Sequence, residues 1–253
     1  VKFAWSEVRA GSLWREGLVL ERLGQCRPSL PVPTPVVLHR QPVLLATRLV
    51  HGVPLTRDWA TVGIANALAG FLGQLHAVDH REVLSGLAVV EPTPQADTET
   101  LRRRFPRLVD DGRAASVIRW CEWVDGVLAE QSPLTDVILH GDLHGHNQLW
   151  DRASSTLLAV LDFEACGLGD PHYDLRYLPG YASDLGLTRA VIDAYEGCSG
   201  RRLEVERVMA WHVLTTLGDA LWRTEAGIPL PGGGTAATYV DELSARFASL
   251  RLD

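Results

Sequence analysis

Residues 138–164 read Ile-Leu-His-Gly-Asp-Leu-His-Gly-His-Asn-Gln-Leu-Trp, then a short polar turn, then Leu-Leu-Ala-Val-Leu-Asp-Phe-Glu. The apolar run Val137 to Leu139 delivers His140, Gly141 and Asp142 to a polar loop, and Asn147 follows five residues after Asp142. Two short strands then flank a turn at Asp151–Thr156, and the second ends on Asp162. This arrangement places two carboxylates and one carboxamide at the mouth of a β-hairpin. Taken singly, Asp142 or Asn147 is equally a turn former, because Asx side chains hydrogen-bond nearby backbone. Two such motifs in order, each closing an apolar strand, argue for chemistry instead.

The spacing Asp-x-x-x-x-Asn, with a His two residues before the Asp, fits the catalytic loop of kinases. There the Asp orients the attacking hydroxyl and the Asn binds Mg²⁺. Asp162, followed by Phe163, sits where the second metal-binding Asp belongs. The run His-Gly-Asp-Leu-His-x-x-Asn, with Leu-Asp-Phe-Glu and then Gly169-Asp170-Pro171-x-x-Asp174-Leu175, closely resembles the aminoglycoside phosphotransferase family of small-molecule kinases. Gly141 replaces the Arg usual in protein kinases and Glu164 the Gly of Asp-Phe-Gly, both as in that family. The resemblance runs from Lys2 to about Tyr181.

It implies an α+β, bilobal, protein-kinase-like fold: a small β-rich N-terminal nucleotide-binding lobe over residues 1–51, a hinge near 48–52, and a larger helical catalytic and acceptor-binding lobe over 52–253. Carried over residue by residue, Asp142 is the catalytic base and Asn147 and Asp162 hold Mg²⁺. Lys2 contacts the α- and β-phosphates of ATP or GTP. Glu16, preceded by Arg15 as in the family's Arg-Glu pattern, pairs with Lys2; Glu7 and Glu21 are its rivals. Leu49, Val50 and His51 offer hinge backbone to the purine. The family carries a glycine-containing hairpin before the Lys strand, and this sequence opens at Val1. The N-lobe is therefore expected to lack its first hairpin here, with native residues lying upstream.

Composition sets outer bounds. The 253 residues can bury a sizeable core as one large domain or two lobes. A net charge of −7 disfavours a nucleic-acid partner held through a basic surface and leans toward a cationic substrate. The scattered Cys26, Cys121, Cys166 and Cys198 form no Cys-x-x-Cys pair and fit free thiols in a reducing cytosol. No apolar run approaches the roughly 18 residues that span a bilayer. The expectation is a cytoplasmic monomer that binds neither membrane nor nucleic acid.

Along the chain, the pattern predicts a helix over 12–23, with Ser12 as N-cap and Gly24 just past its end. Four prolines between Pro28 and Pro35 make a stiff loop. Strands are expected over 36–39 and 43–49. Helices are expected over 58–78, 99–109, 114–131, 188–196, 204–225 and 235–250, with 82–100 rich in loop. Asp174 is read as a cap that holds the catalytic loop, and His76 as structural.

The function expected is ATP- or GTP-dependent phosphorylation of a hydroxyl on a small molecule, with an aminoglycoside antibiotic first, as in a resistance kinase. Asp193, Asp219, Glu225, Asp241 and Glu242 are candidates for its ammonium groups. A macrolide, a peptide antibiotic or a small metabolite is the alternative acceptor, with Trp120, Trp123, Trp211 and Trp222 as candidates to line an apolar cleft. A nucleotide-binding pseudokinase is the rival of another class, and a metal-dependent hydrolase built on His140, His144, His146 and His172 is a further one.

Overall fold

The computed structural model describes residues 1–88, 90–130, 136–182 and 184–250. In chain order the elements are β1 (Lys2–Phe3), α1 (Glu7–Cys26), β2 (Pro35–Arg40), β3 (Val43–Thr47), β4 (Val53–Pro54), α2 (Ala65–His76), α3 (His80–Leu84), α4 (Thr98–Arg104), α5 (Asp111–Ala129), β5 (Val137–Leu139), β6 (Gln148–Asp151), β7 (Thr156–Val160), β8 (Gly167–Gly169), α6 (Gly186–Ser199), α7 (Val205–Ala226) and α8 (Ala236–Leu250). Single 3-10 turns lie between several of them. The class is α+β, as the sequence implied.

The chain packs as two compact units. The first comprises Val1–Pro92, Leu134–Asp174 and Ala190–Arg202. It holds three antiparallel sheets, in the orders β1-β3-β2, β4-β6-β7 and β5-β8. Lys2 pairs with Leu45 and Phe3 with Leu44, so β1 is an edge strand. In the second sheet Val53 pairs with Trp150, which joins the segment after residue 52 to the β6–β7 hairpin. That approach is close: a Cβ on Gly52 would stand 3.0 Å from the Cβ of Leu149. Leu13, Val19, Leu20 and Leu23 of α1 and Leu68, Leu72 and Leu75 of α2 are buried with Leu45, Ile138, Trp150 and Phe163 in the core of this unit.

The second unit comprises Thr93–Pro133, Leu175–Arg189 and Leu203–Asp253, with α4, α5, α7 and α8 as its main helices. Leu101, Phe105, Val117, Val124, Val208, Val213, Leu217, Val240 and Leu243 fill its core. Phe247 stacks on Trp120 at 4.9 Å and meets Trp123 edge-on at 5.1 Å, whereas Trp222 is exposed.

Several sequence expectations need correction. Helix α1 starts at Glu7: Ser6, whose Oγ accepts the Arg9 N–H at 3.2 Å, is the cap. Ser12 lies inside the helix and its hydroxyl bonds back to the Val8 carbonyl. Gly24 is helical too, and Arg27 is the C-cap. The helix expected from Asp58 begins only at Val62, as a 3-10 turn running into α2, where Thr61 is the cap and its hydroxyl accepts the Gly63 N–H at 3.3 Å. The 82–100 loop is shortened by α3, capped by Asp79 through the Arg81 N–H. Gln131, the expected end of the helix that contains α5, lies outside the described residues.

Candidate active site

Every residue the sequence nominated for chemistry falls in the first unit. The site is built on the β6–β7 hairpin. Asn147 stands just before β6 and Asp162 shortly after β7, and the Leu161 N–H donates to the Asn147 carbonyl at 2.7 Å. The two side chains therefore leave the same end of one hairpin.

The loop before β6 is held from three sides. Asp174, only 2 % exposed, accepts the N–H of Gly141 on Oδ1 and the N–H of His140 on Oδ2, both at 2.9 Å. Its Oδ2 also accepts from Nε2 of His76 at 3.2 Å, and Nδ1 of His76 lies 2.9 Å from the Tyr195 hydroxyl. Burial works to raise the Asp174 carboxyl, but these donors and the two neighbouring imidazoles outweigh it and hold its pKa below the ordinary carboxylate value. Asp174 is thus the buried anchor of the loop, the capping role expected of it turned toward the backbone of residues 140–141.

His140 is fully buried. Its Nε2 donates to the Leu161 carbonyl at 2.7 Å while its Nδ1 accepts the N–H of Asp142 at 3.1 Å. One donor and one acceptor define a neutral imidazole, and burial accordingly pushes its pKa down, against the pull of Asp174. Asn147 Nδ2 donates to the Asp142 carbonyl at 2.9 Å, which fixes the other end of the loop. The Asp142 carboxylate stands on this braced backbone, 38 % exposed, with Nε2 of His144 at 3.6 Å.

Gly141 explains itself sterically. Its φ is +83°, and a Cβ there would lie 2.3 Å from the carbonyl oxygen of Ala165. The loop and the Asp162–Cys166 turn approach so closely that only glycine fits.

Lys2 reaches across to the same hairpin. Its Nζ donates to both Glu16 oxygens at 2.9 Å and to Asp162 Oδ1 at 2.8 Å. Burial draws the Lys2 ammonium down, but bonding to Asp162 and Glu16 prevails and its pKa is raised. Glu16 is buried, and that burial pushes its pKa up in spite of Lys2. The two directions agree on one picture: an ammonium strongly held between two carboxylates, one of which is desolvated. Glu7 and Glu21 make no such contact. Asp162 itself is in the left-handed region, at φ 65° and ψ 66°, a conformation uncommon for a residue with a Cβ.

Leu49 and His51 are exposed and Val50 half-buried, on the extended connector between β3 and β4. Among the described residues their main-chain groups have no hydrogen-bond partner. This leaves donors and acceptors for the edge of a planar ring.

For a divalent cation, the amine end of the Asn147 carboxamide is committed to Asp142, so its oxygen is the end that remains. That oxygen and the Asp162 carboxylate are hard donors on one hairpin end, a set that fits Mg²⁺ completed by phosphate and water oxygens. Among the described residues no three His, Cys, Asp or Glu side chains are grouped to hold a metal. Two of the four histidines of the hydrolase reading are otherwise engaged: His140 as above, and His172 through Nδ1 to Asp170 at 2.5 Å.

The acidic residues nominated for ammonium groups are mostly occupied. Asp219 holds Arg223, Glu225 holds Arg104, Asp241 holds Arg113 and Glu242 holds Arg246. Sequence reading also passed over Arg15, Tyr195 and the β5–β8 pairing. Only Arg15 had a visible signal, its place beside Glu16.

The braced Asp-x-x-x-x-Asn loop, the hairpin-end Asp and the Lys–Glu pair are thus brought together in the first unit. The chain belongs to the phosphotransferase enzyme family APH, whose family model matches residues 2–211. It is similar to viomycin phosphotransferase of Streptomyces vinaceus, 28 % identical over 160 residues, which is 53 % of this chain and 49 % of that protein. The match thus spans about half the length of that relative. Among solved structures, it resembles the GDP complex of aminoglycoside 2′-phosphotransferase-IIIa, with a TM-score of 0.72 and 19 % identity over 98 % of this chain and 85 % of that one. It also resembles macrolide 2′-phosphotransferase of Brachybacterium faecium, with a TM-score of 0.62 and 20 % identity over 99 % of this chain and 83 % of that one. These likenesses establish the fold. No helix among the described residues is long and apolar enough to cross a membrane.

Proposed function

We propose that the chain transfers the γ-phosphoryl group of ATP or GTP to a hydroxyl of a small-molecule antibiotic, an aminoglycoside in the first instance. The observation that carries this reading is Lys2, bonded at once to Glu16 of α1 and to Asp162 at the hairpin end that also presents Asn147.

In this reading Asp142 accepts a hydrogen bond from the acceptor hydroxyl, aligns its lone pair with the γ-phosphorus and takes the proton late. Asp174 and His140 keep Asp142 in place through its backbone. Asn147 and Asp162 hold Mg²⁺, which neutralises the charge that develops on the phosphate oxygens. Lys2, steadied by Glu16, positions the α- and β-phosphates, and the unbonded main chain at Leu49–His51 receives the purine. The lobe boundary near residue 51 belongs to the same proposal.

A second acceptor class, a cyclic peptide antibiotic, is favoured by the relative from Streptomyces vinaceus, whose name specifies viomycin. The more exposed arginine-paired carboxylates of the second unit, Glu225 and Asp241, fit either cationic acceptor, since surface ion pairs exchange partners readily. Nucleotide consumption with Mg²⁺ and ATP or GTP, across aminoglycosides, viomycin-like peptides and macrolides, tests the proposal. Turnover with one class, abolished in Asp142→Ala, is the expected result. Nucleotide-induced thermal stabilisation with no turnover on any acceptor would instead identify a pseudokinase.

A further inference from the structure

Three side chains of α1 reach the segment that follows β7. Glu16 does so through Lys2, and Arg9 through an ion pair to the exposed Glu164 carboxylate at 3.1 Å. The third is Arg15, which is 7 % exposed and directs its guanidinium at main-chain oxygens. Nε donates to the Ala88 carbonyl at 3.2 Å, Nη1 to the Glu164 carbonyl at 3.3 Å and Nη2 to the Cys166 carbonyl. The carbonyls at 164 and 166 lie inside and at the end of the turn that begins at Asp162, whose left-handed backbone must be held by its surroundings. Beyond the turn, β8 is pinned by its pairing with β5, so the span 162–166 is fixed at one end by a sheet and along its length by Arg15.

We propose that Arg15 is a positioning residue for Asp162: its guanidinium ties the Asp162–Cys166 turn to α1, so that the Asp162 carboxylate and the Lys2–Glu16 pair keep one fixed relation. The inference rests on the phosphotransfer reading above. A planar cation with five N–H groups can serve three carbonyls at once, which an ammonium on a flexible stem cannot do with the same geometry. The guanidinium also borders a cavity of about 180 Å³ lined by Leu84, Leu87, Val90 and Leu168. Truncating Arg15 therefore opens a space that a small guanidinium ion can enter from solvent.

The test uses the full chain and two readouts, Mg²⁺-dependent nucleotide binding by calorimetry and turnover. Arg15→Ala should raise the Mg²⁺ concentration for half-saturation roughly 10–100-fold, the usual cost of losing a residue that orients a metal ligand. Nucleotide affinity in EDTA should stay within about twofold, because the main chain at Leu49–His51 is untouched and Glu16 still holds Lys2 through both its oxygens. Millimolar methylguanidinium should recover a large part of the Mg²⁺ response, and Arg9→Ala, which loses the exposed ion pair to Glu164 and a contact with the Trp5 ring, should leave it unchanged. Where Arg15→Ala does not fold, Arg15→Lys carries the same measurement and should show the same Mg²⁺ defect. A wild-type Mg²⁺ response in the variant, an equal loss with and without Mg²⁺, or loss of fold in both variants would overturn the positioning role. A wild-type chain that shows neither binding nor turnover would instead sink the phosphotransfer reading beneath it.

Discussion

Lys2 Nζ stands 2.8 Å from Asp162 Oδ1, across 160 residues of chain. With Glu16 on its other side, the ammonium links an edge strand, a buried helix carboxylate and the mouth of the β6–β7 hairpin. Lys2→Met should therefore act on nucleotide use rather than on folding, since the lysine is nearly half exposed. The expected outcome is a rise in KM for nucleotide with a fall in kcat/KM on the order of 10²-fold, about 2.7 kcal/mol of transition-state stabilisation. Steady-state kinetics beside a thermal melt separates the two effects.

Asp142 has its backbone fixed on both sides and its carboxylate partly open to solvent. Asp142→Ala should lower kcat by on the order of 10²–10⁴ while leaving nucleotide binding and the melting temperature near wild type. An unchanged kcat would remove Asp142 from the mechanism.

Asp174 should behave in the opposite way. Its replacement by Ala strands two buried N–H groups and the His76 imidazole in the core. The loss should be roughly 2–5 kcal/mol of stability, the cost of leaving several buried donors without an acceptor. Urea unfolding of Asp174→Ala measures this directly, and a loss below about 1 kcal/mol would mean that the loop is held by other contacts.

Gly141→Ala introduces a methyl group where the Ala165 carbonyl already sits, at a φ that L-residues disfavour. The strain and the overlap together should cost roughly 2–4 kcal/mol. Because the backbone can relieve the overlap only by moving the catalytic loop off the Asp162 turn, turnover should fall even where the variant stays folded. Circular dichroism melts and activity on the same sample check both statements.

The acid side of the stability profile should carry the mark of His140. Burial lowers its folded pKa below the ordinary value of 6.5, so between the folded and unfolded values the unfolded chain binds the extra proton. Stability from this residue is complete above the unfolded value and is lost as pH falls through the folded one. Protonation also puts a hydrogen on Nδ1, which faces the N–H of Asp142. Chemical denaturation at a series of pH values below 7 should show this decline, and His140→Asn should flatten it.

The sequence by itself determined the proposed catalytic constellation, since Asp142, Asn147 and Asp162 lie within 21 residues, on the β6–β7 hairpin and the loop that enters it, and local spacing along a chain fixes local geometry. Lys2 and Glu16 were legible only through the resemblance, whose Arg-Glu pattern favoured Glu16 over Glu7 and Glu21; their contact is a finding of the structure. The α1 boundary was misjudged because Ser6 and Ser12 are both competent caps, and only the approach of the Arg9 N–H to Ser6 decides between them. What tertiary structure alone decided is contact between residues remote in sequence. Asp174 bonds the backbone at 140–141, Tyr195 meets His76, and Arg15 reaches carbonyls some 150 residues away. The arginines that occupy Glu225 and Asp241 belong to the same class, whereas Asp219–Arg223 and Glu242–Arg246 are i,i+4 pairs within one helix. Such pairings depend on where whole elements pack, and a hydrogen bond leaves no periodic trace in either of the segments it joins.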